Sequence, residues 1–330
     1  MPDIAGGKYV VVGGASLLGS HIGEQLLAGG ARAVVLLDNL SLGSTDTIDA
    51  LLTDPRCRFV RGDMLRMNEL FDPCKDADGV FAVAGFLGKP MAANPWVGID
   101  VNVRGLQNVL EAARVQGVRK VVFSSSIGVY GAPGTEPNSE EAPLRWQGMP
   151  PPLMLYCASK VMGEALGYLY GQQHGVDFLA LRYSCLYGER LHTRALDATR
   201  MIETWEQIRA GKAPLIEGNP AQVQDFVYIG DVARANLMAM ESAATGTAMN
   251  IASGHDATLQ EVADLMCRVC GSDLQPQIRL DTARMNMPVT TRLGFDIARA
   301  KALTGWEPQV GLEEGMRRLV AWLDQKNRSV

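Results

Sequence analysis

Tyr156 and Lys160 stand four residues apart in the run Tyr156-Cys157-Ala158-Ser159-Lys160. At that spacing two side chains share one helix face, a single turn apart. A tyrosine ordinarily ionises near pH 10 and is a poor base at neutral pH. A neighbouring ammonium favours the phenolate and brings the ionisation toward the working range. Such a pair can take the proton from a hydroxyl. Ser126, the last of Ser124-Ser125-Ser126, adds a donor that can bond the substrate oxygen and stabilise charge developing on it. Taken alone, a tyrosine beside a lysine is also what a solvated helix face carries. The chemistry therefore depends on what accepts electrons nearby and on which elements bring the three groups together.

The acceptor is indicated at the other end of the chain. Lys8-Tyr9-Val10-Val11-Val12 is a short β-branched run that reads as a buried parallel strand. Gly13-Gly14-Ala15-Ser16-Leu17-Leu18-Gly19 follows, and then a helical stretch to Gly29 with Ile22, Leu26 and Leu27 on one face. A second strand, Ala33 to Leu37, delivers Asp38. Strand, glycine loop, helix, strand and acid form the order that holds a dinucleotide. The glycines let backbone approach a pyrophosphate at the positive end of the helix, and the acid accepts from the adenosine ribose. A 2′-phosphate would meet the Asp38 carboxylate, and Asn39-Leu40-Ser41 offers no compensating cation. NAD is favoured over NADP. Lys160 can then also bond the nicotinamide ribose, and the positive nicotinamide ring adds to the pull toward phenolate.

Strands and helices alternate through the first half, which predicts an α/β fold with a doubly wound parallel sheet. Cys57 to Arg61 is a third strand ending at Gly62-Asp63, where Asp63 is placed to bond the adenine amino group or to cap a helix ahead of Met64. Gly79 to Gly85 is a fourth strand whose small residues, Ala84 and Gly85, let backbone pass close to a cofactor. Asp100 to Arg114 reads as one amphipathic helix, with Asn102 and Asn108 bonded to backbone or facing solvent. Lys120 to Phe123 is the fifth strand and carries the three serines at its end. Residues 131 to 153 form a proline-rich loop long enough to cover a site. Tyr156 to Tyr170 is helical, and Asp177 to Arg182 is the sixth strand. Beyond Tyr187-Gly188 the alternation loosens. Asp225 to Ile229 and the helix Asp231 to Glu241 return to the first lobe, Thr258-x-x-Glu261 is a capping box, and Asp296 caps a helix that stops at Gly305.

The composition of these 330 residues is that of a water-facing globule, and a net charge of -5 argues against a nucleic-acid partner. No apolar run approaches the ~20 residues of a membrane span. The N-terminus lacks the pattern of a secretory signal, which points to the cytoplasm. Cys267-x-x-Cys270 lies within an apolar-periodic segment, without a second pair or a histidine at ligand spacing, so helix packing accounts for it better than a metal.

Together these residues resemble the extended short-chain dehydrogenase/reductase superfamily, in its NAD-dependent epimerase/dehydratase branch. The resemblance rests on the glycine loop, Asp38-Asn39-Leu40-Ser41, Gly62-Asp63, Ser124-Ser125-Ser126 with Val129-Tyr130-Gly131, Tyr156-x-x-x-Lys160, Leu181-Arg182-Tyr183 with Tyr187-Gly188, Asp225-Phe226-Val227-Tyr228, and Ala300 to Pro308. It implies a Rossmann domain at 1–185 with a return segment near 225–253, and a smaller C-terminal α/β substrate lobe at 186–330. It implies Tyr156 as base, Lys160 and Ser126 as helpers, a transient keto sugar, and a homodimer through a four-helix interface. The expected cofactor contacts are Gly13, Ser16, Leu17, Leu18, Gly19, Asp38, Asn39, Asp63, Met64, Ala84, Gly85, Asn102, Ser124, Tyr156, Lys160 and Tyr183.

Departures from the family pattern bear on the substrate. Ser16 replaces the middle glycine and Val12 a threonine. Ile127-Gly128 stand where sugar dehydratases carry an acid pair, which disfavours dehydration. Cys185 replaces an asparagine, and Gln224 replaces an arginine that pairs with the substrate diphosphate; a neutral amide cannot replace a bidentate cation. Ser126, Cys185, Gln224 and Arg284 are the expected substrate contacts, with Arg190, Arg194 and Arg292 as further cations. The leading expectation is epimerisation of a nucleotide sugar. The alternatives are a net dehydrogenase or reductase of an alcohol lacking a diphosphate, and an NAD-binding protein without turnover.

Overall fold

The computed structural model describes residues 3–131, 137–191, 199–279 and 293–328. Strands β1 (Lys8–Val12), β2 (Ala33–Asp38), β3 (Cys57–Arg61), β4 (Gly79–Ala82), β5 (Lys120–Ser126) and β6 (Asp177–Tyr183) precede three short or return strands, β7 (Cys185–Tyr187), β8 (Leu215–Glu217) and β9 (Val223–Tyr228). β10 (Thr247–Ile251), β11 (Asp256–Thr258) and β12 (Gln277–Arg279) complete the described set. The main sheet runs β10-β6-β5-β4-β1-β2-β3, and every neighbouring pair in it is parallel. This is the doubly wound Rossmann architecture expected from the alternation, with the order reversing beside β1. A three-stranded sheet, β11-β9-β7, and a pair, β12-β8, form the smaller lobe.

Two-residue periodicity sorts the strand side chains into two cores. Val11, Leu36, Phe81, Val122 and Leu179 pack on one face with Ile22, Leu26 and the helix Ile229–Glu241. Val10, Val12, Val35, Val80, Val121 and Phe178 pack on the other with Leu106, Val109 and Leu110 of the helix Leu106–Gln116. Burial on both faces is why the strands read as continuous apolar runs rather than as alternating ones.

Several elements differ from the sequence expectation in ways that matter at the site. β5 continues through Ser126, so the serines are strand residues held by pairing with β6: Ser124 opposite Leu181, Ser125 opposite Arg182, and Ser126 opposite Tyr183. The tyrosine-bearing helix runs Pro151–His174 and starts five residues before Tyr156, because Pro151 and Pro152 occupy its first positions, where a missing N–H is harmless. β4 stops at Ala82, leaving Ala84 and Gly85 in the following loop. Asp63 caps no helix: its carboxylate accepts from Leu65 N at 2.9 Å in a local turn, and the next helix begins at Asn68. Asp100–Gly105 is a π-helical segment leading into Leu106–Gln116, not the start of a regular α-helix. The capping box at Thr258 and Glu261 is present in full. Asp296 accepts from Ala298 N at the start of the helix Ala298–Thr304, and Gly305 ends that helix in the left-handed region. Among the described residues no helix is long and apolar enough to cross a membrane.

Candidate active site

The loop after β1 is shaped for backbone to come close to something. Gly13 has φ +90°, and a Cβ there would lie 2.6 Å from Ala84 N. A Cβ on Gly19 would lie 2.1 Å from Gly13 O, so the helix Leu17–Ala28 can start this tightly only with glycine at that position. Ser16 caps the helix: its hydroxyl accepts from Gly19 N at 3.0 Å and donates to Gly13 O at 2.7 Å. The residue that departs from the glycine pattern thus braces the loop from within.

Asp38 ends β2 and is buried. One carboxylate oxygen accepts from Ala15 N at 3.0 Å and the other from Leu40 N at 2.8 Å. Burial raises its pKa above the ordinary carboxylate value, and the two N–H bonds oppose that rise. A carboxylate has about four acceptor positions, so capacity remains for two ribose hydroxyls.

Gly13, Ser16, Leu17, Leu18, Asp38, Asn39, Asp63 and Met64 line one cavity of about 250 Å³, together with Ala84, Gly85, Ser124, Ser126, Tyr156, Lys160 and Tyr183. The nucleotide loop and the candidate base therefore share one space. Lys160 is buried, and its Nζ donates to the Ser124 carbonyl at 2.8 Å, lying 5.1 Å from the centre of the Phe123 ring and 5.8 Å from that of Tyr156. Burial pushes its pKa down to about 8, and the Glu164 carboxylate works against that fall. Ser126 accepts from Gly128 N at 3.0 Å. Tyr183, itself buried, donates to Asn236 at 2.9 Å and receives the Ser124 hydroxyl at 3.3 Å.

Asn102 is the one expected cofactor contact outside this lining, apart from Gly19, whose place is inside the helix start. Its amide accepts from Phe86 N at 2.7 Å and donates to Phe86 O and to Ser159 Oγ, each at 3.0 Å, and Ser159 Oγ donates to Tyr156 O at 2.7 Å. The π-helical segment places Asn102 between the loop after β4 and the tyrosine-bearing helix. Asn108 also goes to backbone, donating to Met64 O.

The expected substrate contacts fall apart from one another. Cys185 lies on β7 between Ser184 and Leu186, both of which line the main cavity. Gln224 lies on β9 and lines a second cleft with Arg200, Thr204, Glu217 and Phe226. Arg284, Arg194 and Arg292 lie outside the described residues. Arg190 turns back to pair with Glu24 at 2.8 Å. Sequence reading passed over Arg200 because a lone arginine opening a helix matches no local pattern. It also passed over the apolar wall formed by Phe86, Leu87 and Leu191, which only the tertiary fold assembles.

These residues fit NAD: a close-approach glycine loop at a helix start, a ribose acid, and a lysine reaching the same cavity. The comparisons agree. The model of the NAD dependent epimerase/dehydratase family matches residues 9–252. The UDP-glucose 4-epimerase of Mycolicibacterium smegmatis is 30% identical over 97% of this chain and 100% of its own. Among solved structures, a UDP-glucose 4-epimerase from Thermotoga maritima with UDP-glucose superposes with TM-score 0.85 at 26% identity, covering 97% of this chain and 99% of that one. The UDP-glucose 4-epimerase of Thermus thermophilus, in complex with NAD, gives 0.82 at 29% identity, covering 96% and 99%. With its glycine loop, ribose acid and Tyr-Lys pair gathered in one cavity, the chain belongs to the NAD-dependent epimerase/dehydratase family, and NAD is its cofactor.

Proposed function

We propose that this enzyme epimerises a nucleotide sugar. The observation that carries the reading is that Tyr156, Lys160 and Ser126 line the same cavity as the glycine loop and Asp38. NAD bound there supplies a hydride acceptor that can later return the hydride. Asp38 and the loop hold and orient the cofactor, the buried Lys160 ammonium favours the Tyr156 phenolate, and Tyr156 takes the proton from the sugar hydroxyl. Ser126 bonds the same oxygen and stabilises charge on it as the carbonyl forms. Turning the transient ketone within the cavity would present its other face to the hydride the cofactor gives back, while Tyr156 returns the proton to the oxygen. Ile127-Gly128 provide no acid to expel a hydroxide, so the route stays with epimerisation.

The names of the relatives favour a UDP-sugar. Arg200, which shares the second cleft with Gln224, is a cation that suits a diphosphate. The substrate lobe is then 186–330, less the return segment near 225–253, of which the helix Ile229–Glu241 and β10 pack with the main sheet while β9 stays in the smaller one. Met162 and Leu169, 51% and 45% exposed and two turns apart on the helix Pro151–His174, suit a homodimer built through that helix. Six cysteines, none of them in a disulfide, suit a reducing cytoplasm. The test is to incubate purified enzyme with UDP-glucose and with other nucleotide sugars and to resolve the epimers. Interconversion by the native enzyme and its loss in Tyr156→Phe supports the reading. No interconversion of any of them contradicts it.

A further inference from the structure

A buried ion pair lies directly behind Lys160. Glu164 follows one turn later on the same helix and is buried, as is most of Arg182 on β6. Arg182 grips the carboxylate bidentately, Nε to Oε1 at 2.9 Å and Nη2 to Oε2 at 2.7 Å. Ser125 donates to the same Oε1 at 2.6 Å. Ser125 stands between Ser124, whose carbonyl receives the Lys160 ammonium, and Ser126, which lines the cavity. A single carboxylate thus ties the helix of the base to the strand of the serines. Arg182 extends the tie, donating through Nη1 to Tyr130 OH at 3.1 Å and to Glu140 O at 3.3 Å.

A pair this deep is weak evidence for stability, because desolvation offsets most of the attraction, and well-packed apolar residues could hold the same elements together. Apolar residues could not put a negative charge one turn from Lys160. We infer that Glu164, clamped by Arg182 and Ser125, is a positioning residue for the reaction, holding the Lys160 ammonium in register with Ser124, Tyr156 and Ser126. The inference rests on the reading of Tyr156 and Lys160 as the catalytic pair. The groups beside Lys160 are Tyr156 and Glu164 on its own helix, the Ser124 carbonyl and Phe123 ring on β5, and the Asn102 amide, which meets Lys160 at Gly85; from β6, Tyr183 lines the same cavity and Arg182 holds Glu164. Glu164 is the anion that favours the ammonium against burial.

The test reads the ionisation of Lys160 without needing a substrate. NAD affinity is measured by calorimetry across pH for the native enzyme, Lys160→Met, Glu164→Gln and Glu164→Asp, with turnover of UDP-glucose alongside. The native curve should show an inflection that Lys160→Met lacks. Glu164→Gln, which keeps the shape but loses the charge, should move that inflection to lower pH and slow turnover ~10-fold or more. Glu164→Asp, which keeps the charge, should leave the inflection near its native position. Glu164→Gln strands a buried arginine and can fail to fold, so Glu164→Gln with Arg182→Gln is measured too, and the same lowering is expected. The inference is overturned by an inflection absent from the native enzyme, unmoved where Glu164 is replaced by Gln, or moved as far by Glu164→Asp. Native protein that does not bind NAD would instead overturn the cofactor assignment. A moved inflection without UDP-glucose turnover would count against the substrate alone.

Discussion

Asp38→Asn separates the two duties of that carboxylate. In the folded protein its oxygens accept from Ala15 N and Leu40 N, and the remaining acceptor positions face the cavity. The amide keeps the shape, but its NH2 then faces one of those N–H groups. A buried donor left unpaired costs about 1–3 kcal/mol, and the charge-assisted bond lost to a ribose hydroxyl is worth about 1.5–3 kcal/mol. The second loss falls wholly on binding and corresponds to ~10- to 100-fold weaker NAD affinity. NADP should lose less or gain, because the charge that repels its 2′-phosphate is gone, so the preference for NAD narrows. Calorimetric titration of native and variant protein with each cofactor measures both changes. Equal affinity of the native protein for NAD and NADP, or an unchanged NAD affinity in the variant, would show that Asp38 does not hold the ribose.

Three further outcomes are expected. Tyr156→Phe removes the proton acceptor but keeps the ring, so turnover of a verified substrate should fall ~100-fold or more while calorimetry still shows NAD binding. Lys160 has a pKa of about 8 in the fold against 10.5 ordinarily, so the unfolded chain holds its proton more tightly; the ammonium destabilises the fold fully below 8, and the penalty fades as pH rises toward 10.5. Lys160→Met should therefore stabilise the NAD-free protein at pH 7 by up to about 3 kcal/mol, less the contribution of the lost bond to Ser124, with the gain vanishing in melts above pH 10.5. Gln224→Arg puts a second cation beside Arg200 and should tighten UDP binding measured by titration if that cleft takes the diphosphate.

The half of the site that binds the cofactor was legible because its signals are local. A glycine forced to positive φ, a helix start and an acid at a strand end all fall between Lys8 and Asp38, and each has its own backbone reason. The Tyr-Lys spacing was legible for the same reason, since one helix turn sets it. The role of Ser16 as a cap was not, because a serine in a glycine loop reads equally as crowding or as a phosphate contact. In the sequence Asn102 fits a backbone-bonded or solvent-facing residue as well as a cofactor contact; the π-helical segment that turns it toward Phe86 and Ser159 has no sequence signature. Glu164 and Arg182 are 18 residues apart in the chain and meet only because β6 pairs with β5 under the helix. Gln224 and Arg200 likewise share a cleft that no local pattern announces.

In the proposed reaction one sugar carbon gives up a hydride and receives it back within a single cavity. The direct measurement is to supply UDP-glucose carrying deuterium at C4 to the purified, NAD-loaded enzyme and to follow both the label and nicotinamide absorbance. Epimerisation through a transient ketone predicts the inverted sugar with deuterium still at C4 and no build-up of reduced cofactor. Loss of the label to solvent, or reduced cofactor rising in step with substrate consumed, would contradict it.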